Sequence, residues 1–125
     1  MRWLQEGIGY EGNTLYVNKK RIHFEFPIFL AILAEDIIWV QENIPNEVNK
    51  VDNVYGVSMD GEVLMRIQPP TREVYQSNNF GERMPYTGIS LSNEGQCILR
   101  DFLGMRFIFD PKTGEIIGRL PSTRF

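Results

Sequence analysis

His23 and Cys97 are the only histidine and the only cysteine in this 125-residue chain, so any nucleophile–base chemistry of the common kind would have to use them. Such chemistry needs two groups within hydrogen-bond reach, with the base oriented by a third. In Arg21–Phe26 the residues alternate. Ile22, Phe24 and Phe26 share one face of a strand, and His23 points to the other, where it reads as a partly exposed strand residue. Cys97 precedes Ile98-Leu99 and reads as a small core hydrophobe. Arg100 would face the opposite side of a strand and so would not lower the thiol's pKa. One histidine and one cysteine cannot build a zinc site of the usual type, and no Asp-x-Asp-x-Asp-Gly calcium loop occurs. Gly7-Ile-Gly9 lacks the third glycine and the following helix of a dinucleotide site. No cofactor is expected. Sixteen acids leave room for a catalytic carboxylate pair, but no spacing singles out two of them.

Charge and aromatic residues are the remaining source of function. The net charge is −3, which argues against nonspecific nucleic-acid binding. Residues 22–62 hold eight acids (Glu25, Glu35, Asp36, Glu42, Glu47, Asp52, Asp60, Glu62) and a single base, Lys50. The plain reading is a solvated acidic face. The sharper one is a docking surface for a basic protein partner, with Glu35 and Asp36 at a hairpin tip and Glu42, Glu47 and Asp52 in or beside the following loop, free of sheet pairing. A second candidate surface is the segment 69–85, with Tyr75, Phe80 and Tyr86 in or next to it and Arg72 and Arg83 nearby. Aromatic and arginine side chains are favoured interface anchors, though they also fold back as local core.

The elements that must position these residues are strands. Turn signals recur at short intervals between runs of strand composition, which predicts an all-β fold. Asn53–Ser58 and Glu62–Ile67 flank Asp60-Gly61; Tyr86–Ser92 and Gln96–Asp101 flank Asn93-Glu94-Gly95; Met105–Asp110 and Glu115–Leu120 flank Pro111–Gly114. Each reads as a hairpin. Ile28–Val40 reads as two strands around Glu35-Asp36, with a single buried helix as the alternative. Ile37-Ile38-Trp39-Val40 suits a pleated surface, and Trp39 is a core candidate. The expectation is one domain over 1–125: a mainly antiparallel meander of hairpins, forming a barrel, a sandwich or a propeller-like fragment, with room for one short helix within 28–50. The turn glycines Gly61, Gly95 and Gly114 are 34 and 19 residues apart, which is no fixed period. A lone thiol and the lack of an export signal or a membrane-length apolar run point to the cytoplasm and away from a membrane.

Phe107-Ile-Phe-Asp-Pro-Lys-Thr-Gly-Glu-Ile-Ile117 resembles one blade hairpin of quinoprotein-type β-propellers, and Val54-Tyr-Gly-Val-Ser-Met-Asp-Gly-Glu-Val-Leu64 is similar to a second. A blade takes about 40–50 residues and six to eight close a typical ring, so this length holds about three blades, and a closed ring would require chains to assemble. The chain also resembles small bacterial all-β proteins, some of which are immunity proteins that accompany toxins. That likeness rests on Asn53-Val-Tyr-Gly-Val with Asp60-Gly61-Glu62, on Pro85-Tyr86-Thr87-Gly88-Ile89 and on Asp110–Gly114. It implies a non-catalytic, protein-binding module whose partner is a basic toxin domain. The alternative is a small enzyme or carbohydrate-binding β domain with a diffuse carboxylate or aromatic site.

Overall fold

A computed structural model describes residues 1–48, 50–68, 85–101 and 104–121. Twelve strands run along it: β1 (Arg2–Gln5), β2 (Ile8–Glu11), β3 (Thr14–Val17), β4 (Lys20–His23), β5 (Ile28–Ala34), β6 (Ile37–Glu42), β7 (Val54–Ser58), β8 (Val63–Arg66), β9 (Tyr86–Leu91), β10 (Cys97–Asp101), β11 (Arg106–Phe109) and β12 (Ile116–Leu120). They form three four-stranded antiparallel meanders, β1 to β4, β5 to β8 and β9 to β12, each in chain order. We call these the first, middle and last sheets.

The expected hairpins are present. β7 pairs with β8, β9 with β10 and β11 with β12. Residues 28–42 are two strands, with Ala34 opposite Ile37 and Glu35-Asp36 as a two-residue turn. Both turn residues take positive φ (53° and 60°), the left-handed pair that a tight hairpin needs to match strand twist. No helix forms among the described residues of 28–50, and the twelve strands do not close into a barrel.

Two local expectations are corrected, and one turn is added: β1 and β2 are separate strands because Gly7 (φ 82°) lets the chain reverse after Glu6. The strand at Arg21 stops at His23: the Phe24 amide makes one further bond in register, to the Asn13 carbonyl, and the Asn13 side chain donates back to the Phe24 carbonyl through Nδ2. Glu42 is not in a loop. It ends β6, opposite Ile28, and its side chain is wholly buried.

Strand alternation explains the packing. Along β6 and β7, Ile38, Val40, Tyr55 and Val57 face one way and meet Ile8, Tyr10, Leu15, Val17 and Phe24 of the first sheet and its exit. Ile37, Trp39 and Val54 face the other way and meet Ile89, Cys97, Leu99, Phe107 and Phe109 of the last sheet. The middle sheet is thus apolar on both faces, which is why β6 reads as a nearly continuous apolar run. Each large aliphatic or aromatic side chain buried in these two layers stabilises the fold by about 1.5–3 kcal/mol before entropy is counted. The sheets approach one another most closely at their first two strands, β5 meeting β1 and β2, and β9 meeting β5 and β6.

Candidate functional site

A meander puts alternate turns at the same end of its sheet. The turns after β1, β3, β5, β7, β9 and β11 therefore lie at one end, and the C-terminal ends of the even-numbered strands at the other. The sheets are stacked so that these ends coincide. A Cβ on Gly61, in the turn after β7, would lie 2.9 Å from the Lys20 side chain, next to the turn after β3. Between the middle and last sheets, the charges of Glu35 and Asp110 both reach Cys97 at the start of β10.

This common end is acidic. Its six turns carry Glu6, Glu35, Asp36, Asp60, Glu62, Glu94, Asp110 and Glu115 against Lys19 and Lys112, with Lys20 beside them at the start of β4. All eight carboxylates are exposed except Asp110, which is half-buried. Tight turns hold them with little freedom: Ser58 Oγ accepts from the Asp60 and Glu62 amides, and Asp110 Oδ1 accepts from the Lys112 amide. Burial, with the Glu35 and Asp110 charges adding to it, pushes the Cys97 thiol above its ordinary pKa, and its side chain lies in the core.

The opposite end holds a compensated cluster. Lys50 Nζ lies 2.7 Å from Glu42 Oε1 and 3.6 Å from Glu25 Oε1, and it donates to the Tyr55 hydroxyl. Glu42 Oε2 accepts from the Phe26 amide at 3.1 Å. The Lys50 ammonium and the Arg66 guanidinium both lie over the Tyr55 ring, and Arg66 pairs with Asp52 at 3.0 Å. Burial pulls the Lys50 pKa down, but its bonds to Glu42 and Tyr55 outweigh that and raise it. Lys50 is therefore held as a cation and offers no free amine at neutral pH. A lysine nucleophile or base needs the reverse shift.

Next to this cluster, wholly buried Asn53 joins the middle and last sheets. Its Nδ2 donates to the Glu42 and Tyr86 carbonyls, and its Oδ1 accepts from the Tyr86 amide at 2.9 Å. The Tyr86 hydroxyl donates to the Gln68 carbonyl at 2.8 Å.

The residues singled out from the sequence are therefore not brought together. Glu35 and Asp36 are exposed at the turn end, while Glu42, Glu47 and Asp52 belong to the other end, about 17 Å away along β6. Of these three, Glu47 is exposed, Asp52 is spent on Arg66, and Glu42 is inside the fold under Lys50. Tyr86 is buried between the middle and last sheets and is not a surface anchor. Arg72, Tyr75, Phe80 and Arg83 lie outside the described residues. Sequence reading missed the partners Glu6, Glu94, Asp110 and Glu115. The available signal was that each stands in a turn of the same parity along the chain. His23 Nδ1 lies 3.0 Å from Thr14 Oγ1, on an exposed strand position. Among the described residues, no group of three or more His, Cys, Asp or Glu is placed to hold a metal ion. No helix among them is long and apolar enough to cross a membrane.

Residues 6–119 match the family model described as a domain of unknown function (DUF7957), and the chain belongs to that family. No curated protein and no solved structure matches it.

Proposed function

We propose that this member of the family is a non-catalytic protein-binding module that docks its acidic turn end onto a basic partner surface. The most concrete form is an immunity protein that neutralises a bacterial toxin by covering its active site. One observation carries the reading: six turns from three sheets converge on one end, which presents eight carboxylates against three lysines, Lys19, Lys20 and Lys112. The compensated ion pairs of the opposite end make the contrast sharper. Carboxylates on short turns of a packed scaffold lose little freedom on binding. Their summed field steers a basic partner and raises the association rate more than the final affinity. A toxin that cleaves nucleic acid carries a basic substrate groove, and a convex acidic end can occupy it without doing chemistry. A reducing cytoplasm suits a chain whose one thiol is free and buried.

The test is to make Glu35→Lys, Asp36→Lys and Asp60→Lys together. A basic nuclease domain with a nucleic-acid-binding groove is the probe, and association is followed by stopped flow across ionic strength. At low salt the rate should fall by about tenfold or more, and the difference should shrink as salt screens the field. An association rate unchanged at low salt, in a variant with wild-type circular dichroism, would overturn the proposal.

A further inference from the structure

The middle sheet is covered on both faces, and each outer sheet is covered on one. Among the described residues, no fourth sheet lies on the free face of the first sheet or of the last. These two faces are not built like solvent-facing ends. On the first sheet, register places Trp3, Gly9, Tyr16 and Arg21 in one row across the free face. Trp3 is 62% exposed, and its indole lies where a Cβ on Gly9 would have to go, at 2.8 Å. Arg21 stacks on the Tyr16 ring at 5.7 Å. Trp, Tyr and Arg are the residue types that dominate protein interfaces.

On the last sheet, register places Ser90, Ile98, Ile108 and Gly118 in the row at the same height above the turn end. Ile98 and Ile108 are half-buried, and Ile117, beside Gly118, is 62% exposed. The next free-face row of the first sheet runs Glu11, Thr14, His23; that of the last sheet runs Gly88, Arg100, Arg106, Leu120. An aromatic row therefore matches an isoleucine row, and at the following level Glu11 matches Arg100.

We infer that a second copy of this chain occupies these faces, the first sheet of each copy packing on the last sheet of the other. The argument is continuity. The same face-to-face packing occurs twice within one chain, and this contact would be its third and fourth repetition. The stack is also curved, since its sheets converge on the side of their first two strands, β1 and β2 on β5, and β5 and β6 on β9. A curved stack with two different, complementary ends closes on a second copy, whereas a straight one would extend into a filament. Closure gives a ring of six sheets with both acidic ends on one side.

Sedimentation equilibrium of the whole chain tests this, at about 100 µM, where a micromolar dimer is well populated. The expected mass is twice the 14.5 kDa of one chain. Trp3→Glu and Ile108→Arg act on different faces, and each should weaken dimerisation by about tenfold or more with an unchanged circular dichroism spectrum. Exchanging Glu11→Arg with Arg100→Glu in one chain should dimerise better than either single reversal. A monomer at this concentration, or a mass that keeps growing with concentration, overturns the inference. So does a dimer sensitive to only one of the two face variants, which would be a like-with-like contact of a single face. Should Trp3→Glu perturb the fold, Trp3→Ala and the charge exchange carry the same test.

Discussion

The Lys50 ammonium closes over the Glu42 carboxylate at 2.7 Å, and the Glu42 side chain has no exposure to solvent. Removing Lys50 would leave a buried carboxylate without a counter-charge, held only by neutral donors, the Phe26 amide and the Tyr55 hydroxyl. Lys50→Met should therefore cost about 3 kcal/mol, whereas Lys50→Met combined with Glu42→Gln should cost clearly less than the sum of the two single changes. Urea unfolding of the four proteins forms the cycle. Additive single effects would mean that the pair is not coupled.

The same contacts set a pH limit. Lys50 is raised above its ordinary 10.5 because its bonds to Glu42 and Tyr55 outweigh burial. Tyr55 is raised above its ordinary 10.0, first by burial and then by the Glu42 charge, against the pull of Lys50. In both cases the folded state holds the proton more tightly than the unfolded chain. The stability this gives is fully present below those ordinary values and is lost as pH rises through the higher folded-state values. The urea midpoint should fall above about pH 10, and the fall should be shallower in Tyr55→Phe with Lys50→Met. Equal alkaline slopes in the two proteins would show that other groups control it.

The hairpins are legible in the sequence because both of their determinants are local. Val54–Ile67 shows apolar strands on either side of Asp60-Gly61, and Ile28–Glu42 shows two apolar runs broken by Glu35-Asp36. The turn at Glu6–Gly7 is not legible, because Gly7 and Gly9 look alike in sequence and only Gly7 takes positive φ. Gly9 is instead the site where Trp3 lies against the sheet. The burial of Glu42 is hidden for a different reason. A charged residue at a strand end reads as exposed, and what buries it is Lys50, eight residues further on in a polar loop. The acidic end is the least legible feature. Counting acids along residues 22–62 mixes the two ends of the stack, because a meander sends successive turns to opposite ends.

The turn at the acidic end can be improved at a cost to binding. Glu35 and Asp36 both hold left-handed backbone that Asn-Gly adopts with less strain. Glu35→Asn with Asp36→Gly should stabilise the protein by about 1 kcal/mol in urea unfolding. It also removes two of the eight turn-end carboxylates, so on the proposed function association with a basic partner should slow at low salt. A variant that is more stable yet slower to associate would separate fold from function at one site. Loss of stability would show that the two acidic side chains make contacts that outweigh the backbone gain.

The wholly buried Trp39 indole is held between two glycines from different sheets. A Cβ on Gly56, its neighbour on β7, would lie 2.9 Å from Trp39 Cζ3 and 3.1 Å from Met65 Cγ. A Cβ on Gly114, in the turn after β11, would lie 3.1 Å from Trp39 Cη2 and 3.0 Å from Met65 Sδ. The ring cannot move aside, since Phe109 packs edge-on against it at a centroid distance of 4.9 Å. Gly56→Ala should thus cost about 1–3 kcal/mol through overpacking alone, because its φ is not in the left-handed region. Gly114→Ala should cost more, since the same crowding adds to a φ of 75°. Gly95 supplies the control: its φ is 80°, but a Cβ there meets nothing within 4 Å, so Gly95→Ala isolates the backbone term at about 1 kcal/mol. Urea midpoints should fall in the order Gly95→Ala, Gly56→Ala, Gly114→Ala, from mildest to most severe. Near-ultraviolet circular dichroism of Trp39 should change in the last two and not in the first. A Gly56→Ala protein as stable as wild type would show that the middle and last sheets are not packed around this indole.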